Sequence, residues 1–374
     1  MGQREELARL TAELVEIDSV NPDLITGAAG EGEMASFVAR WLDEAGLEVE
    51  VVDAARGRPS VVGVARGTGD GHSLMLNAHT DTVGVEGMER PFEPRVEDGR
   101  LHGRGAYDMK GSLAAIMLAG REAARGGLRG DVIVTAVADE EAGSAGTEAV
   151  LRRFRADAAI VAEPTELRVG VAHKGFVALE IETLGRAAHG SRPDLGVDAI
   201  AKMGQVLVAT EALDRALRRR PTHGILGSGS VHASVISGGQ EYSSYPERCL
   251  LRAERRTVPG ETAAQVEDEL RTLLAQFAEL DADFHGSVRT AFAREPFEVA
   301  AEEPLVELVV RHAGAELTGL PFWADSALLA AAGIPTVLFG PAGEGAHATV
   351  EWVDLASLER CLDVYVAVAA ELCA

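Results

Sequence analysis

Cysteine is scarce in this chain of 374 residues, which carries only Cys249, Cys361 and Cys373. The number is odd and the spacing matches no zinc-finger or redox motif, so we expect reduced thiols in a cytoplasmic protein. Long apolar runs are also missing, since none reaches the roughly 18 residues that a membrane-spanning helix needs. Residues 1–18 predict a charged helix without the layout of a signal peptide. The sequence therefore argues against a membrane protein.

Positive charge is in deficit. The chain has 35 lysine and arginine residues against 59 aspartate and glutamate residues, which gives a formal net charge of -24. Nucleic acids and anionic membranes are recognised through basic patches, and a surface of this charge would repel both. A high negative charge also favours solubility by itself, and that explanation carries equal weight. We expect a small-molecule substrate, no nucleic acid and no membrane as partners.

Two common catalytic motifs are absent as well. The chain has neither a Gly-x-Ser-x-Gly nucleophile elbow nor a Gly-x-x-x-x-Gly-Lys-Ser/Thr phosphate loop. The glycine-rich stretch 67–71 precedes an expected strand, whereas a phosphate-binding loop leads into the N-terminus of a helix. A serine hydrolase of the elbow type and a nucleotide-binding enzyme are therefore disfavoured.

Length and patterning indicate two domains in an α/β fold, because 374 residues exceed one core of typical size. Strands and helices alternate up to about residue 163, which is typical of a mostly parallel sheet covered by helices. Between residues 174 and 289 the order becomes strand, helix, two strands, helix and strand, which predicts a ferredoxin-like βαββαβ unit. We expect a catalytic domain in two segments, 1–173 and 290–374, with the domain 174–289 inserted between them.

Polar residues follow four short apolar runs that predict buried strands: 74–78, 132–138, 158–162 and 335–340. Ligands of an open α/β sheet gather at the carboxyl ends of its strands, where residues distant in sequence meet. Two histidines and three carboxylates without cysteine suit Zn²⁺, with Co²⁺ or Mn²⁺ as substitutes. The sequence therefore predicts a site for two divalent metal ions, with the ligands His79, Asp108, Glu141, Glu163 and His347.

Two acidic residues beside these ligands have roles of their own in the prediction. Asp81 lies two residues after His79 on an extended segment, where it is placed to accept the imidazole N–H and orient the ring. Glu140 and Glu141 are adjacent carboxylates that repel each other unless a cation or a proton relieves them. We expect one of the pair to bind metal and the other to take a proton from water.

Each residue also has an ordinary structural explanation. Asp108 precedes an expected helix, and aspartate is a preferred N-cap residue worth about 1 kcal/mol. Glu140 and Glu141 fit an exposed acidic turn before Gly143. Glu163 before a proline and His347 in a glycine-rich loop fit plain turn chemistry. The metal site depends on the convergence of the set rather than on any one motif.

The motif order resembles the co-catalytic zinc aminoacylase and carboxypeptidase family, which includes acetylornithine deacetylase, succinyl-diaminopimelate desuccinylase, aminoacylases and glutamate carboxypeptidases. The matching motifs are His79-x-Asp81, Gly-Arg-Gly-x-x-Asp108-Met-Lys-Gly, Glu140-Glu141, Glu163-Pro-Thr and the late His347. The resemblance implies that Asp108 bridges two metals, with His79 and Glu163 on one, and with Glu141 and His347 on the other. It also implies that Glu140 is the general base and that Asp81 orients His79.

The resemblance further implies that the inserted domain is a lid that mediates a homodimer. Ala187-Ala-His189-Gly-Ser-Arg-Pro matches the motif whose histidine reaches a neighbouring subunit's active site and steadies the developing oxyanion. Arg256 matches the arginine that binds the substrate carboxylate, although a plain ion pair with Glu254 or Glu261 also explains it. Where the family has Asn-x-Val-Pro, this chain has Ser243-Ser-Tyr-Pro, so a hydroxyl replaces an amide near the substrate.

These observations predict a metal-dependent hydrolase that cleaves the amide bond of an N-acyl amino acid with a water activated by two metals. A dipeptidase or a glutamate-type carboxypeptidase with the same site is the alternative among enzymes. A metal-bearing binding protein without turnover is a third hypothesis, against which an unliganded base at position 140 argues. The acyl group and the amino acid stay open.

Overall fold

The chain forms two compact units in the structure, a computed structural model that describes residues 2–54 and 57–374. The first unit comprises the described residues up to Val171, with Val299–Thr318 and Ala324–Ala374. The second comprises Ala172–Glu298 with Gly319–Trp323. Within the described part of the chain, no helix combines the length and the apolar character that crossing a bilayer requires.

Helices and strands are numbered in chain order. The helices are α1 (Gln3–Glu16), α2 (Gly32–Glu44), α3 (Gly111–Gly126), α4 (Ala145–Leu151), α5 (Ala199–Arg218), α6 (Ala263–Leu280), α7 (Pro304–Ala313), α8 (Ser326–Ala331) and α9 (Leu355–Leu372). An irregular helical turn, Ala106–Lys110, precedes α3. The strands are β1 (Glu48–Ala54), β2 (Arg58–Ala65), β3 (Leu74–His79), β4 (Arg95–Glu97), β5 (Arg100–His102), β6 (Val132–Val137), β7 (Ala158–Val161), β8 (Val169–His173), β9 (Gly175–Leu184), β10 (Ser230–Gly238), β11 (Arg248–Thr257), β12 (His285–Arg294), β13 (Phe297–Glu298), β14 (Leu317–Leu320), β15 (Thr336–Leu338), β16 (Gly343–Glu344) and β17 (Trp352–Asp354).

The central sheet of the first unit has the strand order β1-β2-β6-β3-β7-β15-β8. Its inner strands β6, β3, β7 and β15 are parallel, which confirms the predicted α/β fold with a mostly parallel sheet. The outer pairs β1–β2, β2–β6 and β15–β8 are antiparallel. Only three residues separate β1 from β2, which is too few for the crossover that a parallel pair needs.

The inner strands are held by burial. Every residue of β3 and β6 is buried, because these strands lie inside the sheet and α3 packs on both. Helix α3 in turn contacts α1 and α9, and it contributes Leu113, Ile116 and Met117 to the core. Burying a side chain of this size stabilises the fold by about 1.5–3 kcal/mol. The carboxyl ends of β3 and β6 therefore belong to a well-packed part of the first unit.

The second unit has an antiparallel sheet of order β10-β11-β9-β12. Its chain order is β9-α5-β10-β11-α6-β12, the predicted βαββαβ arrangement. Buried residues alternate along β9, and the buried face packs with Met203 of α5 and Leu270 of α6. The main segment of this unit runs to Glu298, beyond the boundary at residue 289 that the sequence suggested, because β12 continues to Arg294 and β13 follows it; Gly319–Trp323 also belongs to the unit.

Candidate metal centre

Three adjacent parallel strands carry candidate ligands at their carboxyl ends. His79 is the last residue of β3, Glu140 and Glu141 follow β6, and Glu163 follows β7. Strand β3 pairs in parallel with both β6 and β7, so the three ends lie side by side. This is the edge at which open α/β sheets collect their ligands.

A small sheet, β16-β17-β5-β4, positions the other two candidate ligands. The turn that contains Asp108 follows β5, and the loop that contains His347 joins β16 to β17. Strands β5 and β17 are paired, with Trp352 opposite His102. Asp108 and His347 are thus brought to one place although 238 positions of the sequence lie between them.

The five candidate ligands form two groups of three that share one residue. We call His79, Asp108 and Glu163 the first ligand group, and Asp108, Glu141 and His347 the second; in each, one ligand atom per residue lies within 4.8 Å of the others. Oδ1 of Asp108 is 3.1 Å from Nε2 of His79, and Oδ2 is 3.5 Å from Nε2 of His347. Asp108 therefore presents one carboxylate oxygen to each group.

Distances within the groups are short enough for a shared cation. Nε2 of His79 is 3.8 Å from Oε1 of Glu163, and Nε2 of His347 is 3.0 Å from Oε2 of Glu141. Imidazole nitrogen and carboxylate oxygen are the donors that Zn²⁺ takes in sites without cysteine. The donor set of each group therefore fits a divalent metal ion.

The charge balance of the site points to the same fit. Burial and the charge of Asp108 raise the pKa of both Glu141 and Glu163. The hydrogen bonds to Asp108 and Glu141 raise the pKa of His347 to about 10. Burial opposes protonation of His79, but the hydrogen bond to Asp108 and the nearby carboxylates outweigh it and raise its pKa. The negative charge of the carboxylates therefore favours positive charge among them, here on the protonated histidines. A divalent cation would supply that positive charge.

Glu140 belongs to neither ligand group but lies beside both. Burial raises the pKa of Glu140, and the charge of Glu163 raises it further. Its backbone N–H donates to Oδ1 of Asp81 at 3.1 Å, which fixes the turn without using the Glu140 side chain. Glu140 thus has a carboxylate close to the metal ligands that is not itself one of them. A general base needs such a position, because its carboxylate must stay available to accept a proton.

Asp81 differs from the sequence prediction in how it contacts His79. Nδ1 of His79 donates to the backbone carbonyl of Asp81 at 2.9 Å, and the nearer carboxylate oxygen is 3.7 Å away. The carbonyl can only accept, so Nδ1 carries the proton and Nε2 is the atom free to bind metal. The Asp81 carboxylate instead accepts the backbone N–H groups of Glu140 and Glu141, both at 3.1 Å.

Sequence reasoning missed the network behind Asp81. Nδ2 of Asn21 donates to Asp81 at 2.7 Å and to Asp139 at 3.1 Å. Arg58 forms ion pairs with Asp139 at 3.1 Å and with Glu31. The one available signal was that Asp139 makes a run of three acidic residues before Gly143, which is unusual directly after a buried strand.

Asp325 is a second buried carboxylate that the sequence did not single out as functional. It accepts a hydrogen bond from Thr147, and burial raises its pKa to about 6. Its charge also raises the pKa of Glu140 and Glu163. Asp325 therefore adds to the negative potential that favours cations at this site.

The remaining predicted residues lie in the second unit. His189 is exposed, and its Nδ1 is 2.8 Å from Oγ of Ser191. Oγ of Ser243 donates to Glu241 at 3.0 Å. Nε of Arg256 donates to Glu254 at 2.7 Å, which is the ordinary ion pair considered as the alternative explanation. The guanidinium of Arg256 also lies 5.4 Å from the centre of the Phe176 ring.

Comparison with known proteins agrees with this geometry. The model of peptidase family M20/M25/M40 matches residues 75–371. Acetylornithine deacetylase of Myxococcus xanthus is 30% identical over 379 aligned positions, covering 96% of this chain and 96% of that protein. Aminopeptidase PepT of Bacillus cereus has a TM-score of 0.81 at 21% identity and 99% coverage of both chains.

A second solved structure is a protein described as a dinuclear metal binding peptidase, YXEP of Bacillus subtilis. It has a TM-score of 0.75 at 17% identity, covering 99% of this chain and 98% of that chain. The family match spans more than half of this chain and includes all five candidate ligands. The chain therefore belongs to peptidase family M20/M25/M40 and is a metal-dependent amidohydrolase.

Proposed function

We propose that this enzyme hydrolyses the amide bond of an N-acyl amino acid and that it uses two divalent metal ions, with zinc as the native metal. The observation that carries the proposal is the sharing of Asp108 by both ligand groups, with Glu140 beside them and outside them. The 30% identity with an acetylornithine deacetylase along 96% of the chain supports an acyl group as the part removed.

Metal ions held by the two ligand groups would polarise the scissile carbonyl and lower the pKa of the attacking water. Glu140 takes a proton from that water and delivers it to the leaving amine. Asp81 holds the turn of Glu140 through the backbone N–H at 3.1 Å, so the side chain starts from a fixed position. General acid–base catalysis of this kind contributes typically about 10²- to 10⁴-fold in rate.

The second unit supplies substrate contacts in this proposal. His189 donates a hydrogen bond to the carbonyl oxygen as negative charge develops there; Nδ1 is engaged with Ser191, so we assign the donation to Nε2. A second copy of the chain would bring His189 to the site, and we propose a homodimer on that basis. Ser243 contributes a weaker, neutral hydrogen bond, worth about 0.5–1.5 kcal/mol.

A substrate panel tests the proposed function. Chelator-treated protein is reloaded with Zn²⁺ or Co²⁺ and assayed for amine release from N-acetyl, N-succinyl and N-formyl amino acids and from dipeptides. We expect close to two metal equivalents per chain and the highest kcat/KM with an N-acyl amino acid. The Glu140→Gln enzyme, loaded in the same way, controls for contaminating activity. Higher kcat/KM on dipeptides across the panel would replace the deacylase proposal with a dipeptidase.

Arg256 is proposed to bind the free carboxylate of the substrate. A guanidinium holds a carboxylate through two parallel hydrogen bonds and lysine offers a point charge, so Arg256→Lys is expected to lower kcat/KM. Loss of a desolvated charge partner costs about 2–5 kcal/mol. The measurement is kcat/KM for the best N-acyl amino acid and for its carboxamide analogue, with each enzyme.

Arg252 offers a matched control for that prediction. It lies on the same strand β11, pairs with Glu180 at 3.3 Å and is mostly exposed, so Arg252→Lys should leave kcat/KM unchanged. Equal efficiency of the unmodified enzyme on the acid and the carboxamide would mean that Arg256 does not bind a substrate carboxylate and that its ion pair with Glu254 is structural.

A further inference from the structure

Glu351 is a buried carboxylate whose two oxygens each accept two hydrogen bonds from residues 104–108. Its Oε1 accepts the backbone N–H groups of Tyr107 at 2.9 Å and Asp108 at 3.1 Å. Its Oε2 accepts the backbone N–H of Gly105 at 3.0 Å and Nη1 of Arg104 at 2.6 Å. One side chain thus holds the backbone N–H of Asp108, the residue shared by the two ligand groups, and two backbone N–H groups just before it.

Arg104 extends this contact to the loop that carries His347. Its Nη2 donates to the backbone carbonyl of Ala348 at 2.8 Å, one residue after His347. The Arg104 and Glu351 side chains are 3% and 0% exposed, so water does not compete for these hydrogen bonds. We call this ion pair, with its backbone contacts, the Arg104–Glu351 clamp.

Neither segment that the clamp joins has regular backbone structure at its ligand. Asp108 has φ −119° and ψ 93° inside the turn Ala106–Lys110, and His347 lies in the left-handed region with φ 62°. Gly345 has φ 91°, and a Cβ there would lie 1.8 Å from the carbonyl oxygen of Val350. The positions of the two ligands therefore depend on side-chain hydrogen bonds as well as on the strand pairing of the small sheet.

From this geometry we propose that Arg104 and Glu351 are positioning residues that set the spacing of Asp108 and His347, and thereby the metal affinity of the second ligand group. The inference rests on the two-metal site of the proposed function. A pair that served stability alone would have no need to bind the backbone of one ligand and the carbonyl beside the other. Residues that orient metal ligands typically change metal affinity by about 10- to 100-fold when they are altered.

Two substitutions probe the two arms of the clamp. Glu351→Gln keeps the shape of the side chain but replaces one of its two accepting oxygens with an NH₂ group. The variant therefore loses one of the two pairs of hydrogen bonds, either the pair from Arg104 and Gly105 or the pair from Tyr107 and Asp108. Arg104→Lys keeps a cation beside Glu351 but removes the planar pair of donors that reaches both Glu351 and Ala348. Each variant should weaken the second ligand group, which has two ligands on the segments that the clamp joins, more than the first, which has only Asp108 there.

The experiment is a Co²⁺ titration of chelator-treated protein, followed by the absorption of bound Co²⁺ and by competition with a chromophoric chelator. The unmodified protein should bind two equivalents, and His347→Ala identifies the equivalent that belongs to the second ligand group. In both clamp variants we expect the dissociation constant of that equivalent to rise about 10- to 100-fold, and the ratio of the two constants to rise with it.

Glu6→Gln is the matched control. Glu6 forms a two-point ion pair with Arg121, at 2.6 and 2.9 Å, in the same unit, and neither residue belongs to a ligand group. This variant should change thermal unfolding of the metal-free protein at most, with both Co²⁺ constants unchanged. The ratio of the constants therefore separates positioning of the ligands from general stability.

Each outcome decides between the possibilities. Two equivalents with unchanged constants in the clamp variants, or equal weakening of both, would overturn the clamp and leave the proposed function standing. Fewer than two equivalents in the unmodified protein would overturn the two-metal site and the clamp together. If Glu351→Gln does not fold, Arg104→Lys decides alone, because it retains the buried positive charge.

Discussion

Glu140→Gln is expected to abolish most turnover while both metals and the fold are retained. The amide can neither accept nor deliver the proton, so kcat should fall by about 10²- to 10⁴-fold. Glu140 lies outside both ligand groups, and its backbone hydrogen bond to Asp81 does not involve the side chain. Metal content by elemental analysis and kcat on the best substrate of the panel are the measurements.

Stability of the metal-free variant gives an independent check on Glu140. Burial and the charge of Glu163 raise the pKa of Glu140 in the folded protein. The folded form therefore loses stability as pH rises above the pKa of this carboxyl in the unfolded chain, about 4.3. The neutral amide lacks that cost. Metal-free Glu140→Gln should therefore unfold at the same temperature as the metal-free parent, or higher, at pH 7.

Glu141→Gln is the matched comparison, because it is the same substitution at the next position. Glu141 belongs to the second ligand group, with an oxygen 3.0 Å from Nε2 of His347. This variant should lose one metal equivalent. If both variants lost metal, or both kept two equivalents, the division of roles between the two glutamates would be wrong.

The strands that carry the site were predictable from sequence. Interior parallel strands are buried on both faces, so they appear as unbroken apolar runs, as at β3 and β6. The residues at their carboxyl ends then had to meet at one edge, and His79, Glu141 and Glu163 do. The parallel pairing itself could be expected because helices separate these strands along the chain.

Asp108 shows where local pattern stops being informative. Its position before α3 suggested an N-cap, but the residue at the N-cap of α3 is Lys110, and Asp108 lies in an irregular turn. That turn is held by Glu351, which is 243 residues away in sequence. No window of neighbouring residues contains this information, because Glu351 immediately precedes β17, and it is the pairing of β17 with β5 that brings it near the turn.

Asp81 shows a second limit, which concerns backbone atoms. The two-residue spacing correctly placed Asp81 beside His79, but the closer acceptor for the ring is the carbonyl of Asp81, at 2.9 Å. Its carboxylate holds the N–H groups of Glu140 and Glu141. Side-chain spacing does not reveal which backbone groups a turn presents, and here the turn begins with Asp139 at φ 71°.

Asp108→Asn is expected to remove both metals and, with them, all activity. Without its carboxylate each ligand group keeps two residues, fewer than the three protein ligands of a catalytic zinc site. Each dissociation constant should rise by more than about 100-fold, because substitution of residues that only orient the ligands already lowers metal affinity by about 10- to 100-fold. Elemental analysis after dialysis and a Co²⁺ titration measure the loss.

Asp354→Asn is the matched control for that substitution. The Asp354 side chain accepts the backbone N–H of Ser357 at 2.7 Å and caps α9, a role that asparagine fills equally well. This variant should bind two equivalents and keep full activity. Retention of even one tightly bound equivalent by Asp108→Asn would mean that Asp108 does not bridge the two groups.

The metal-free Asp108→Asn protein should also be less stable than its metal-free parent at pH 7, the opposite of the result expected at position 140. Burial opposes ionisation of Asp108, but the hydrogen bonds with His347 and His79 outweigh it and hold its pKa below the usual range. A carboxyl with a lowered pKa stabilises the fold above its unfolded pKa, about 3.9, and this contribution disappears as pH falls through the folded value. The difference between the two proteins should therefore persist down to about pH 4 and shrink below it, as thermal unfolding at pH 7 and at about pH 2 would show. A difference that is equal at both pH values would mean that the pairing of Asp108 with the two histidines contributes nothing to the fold.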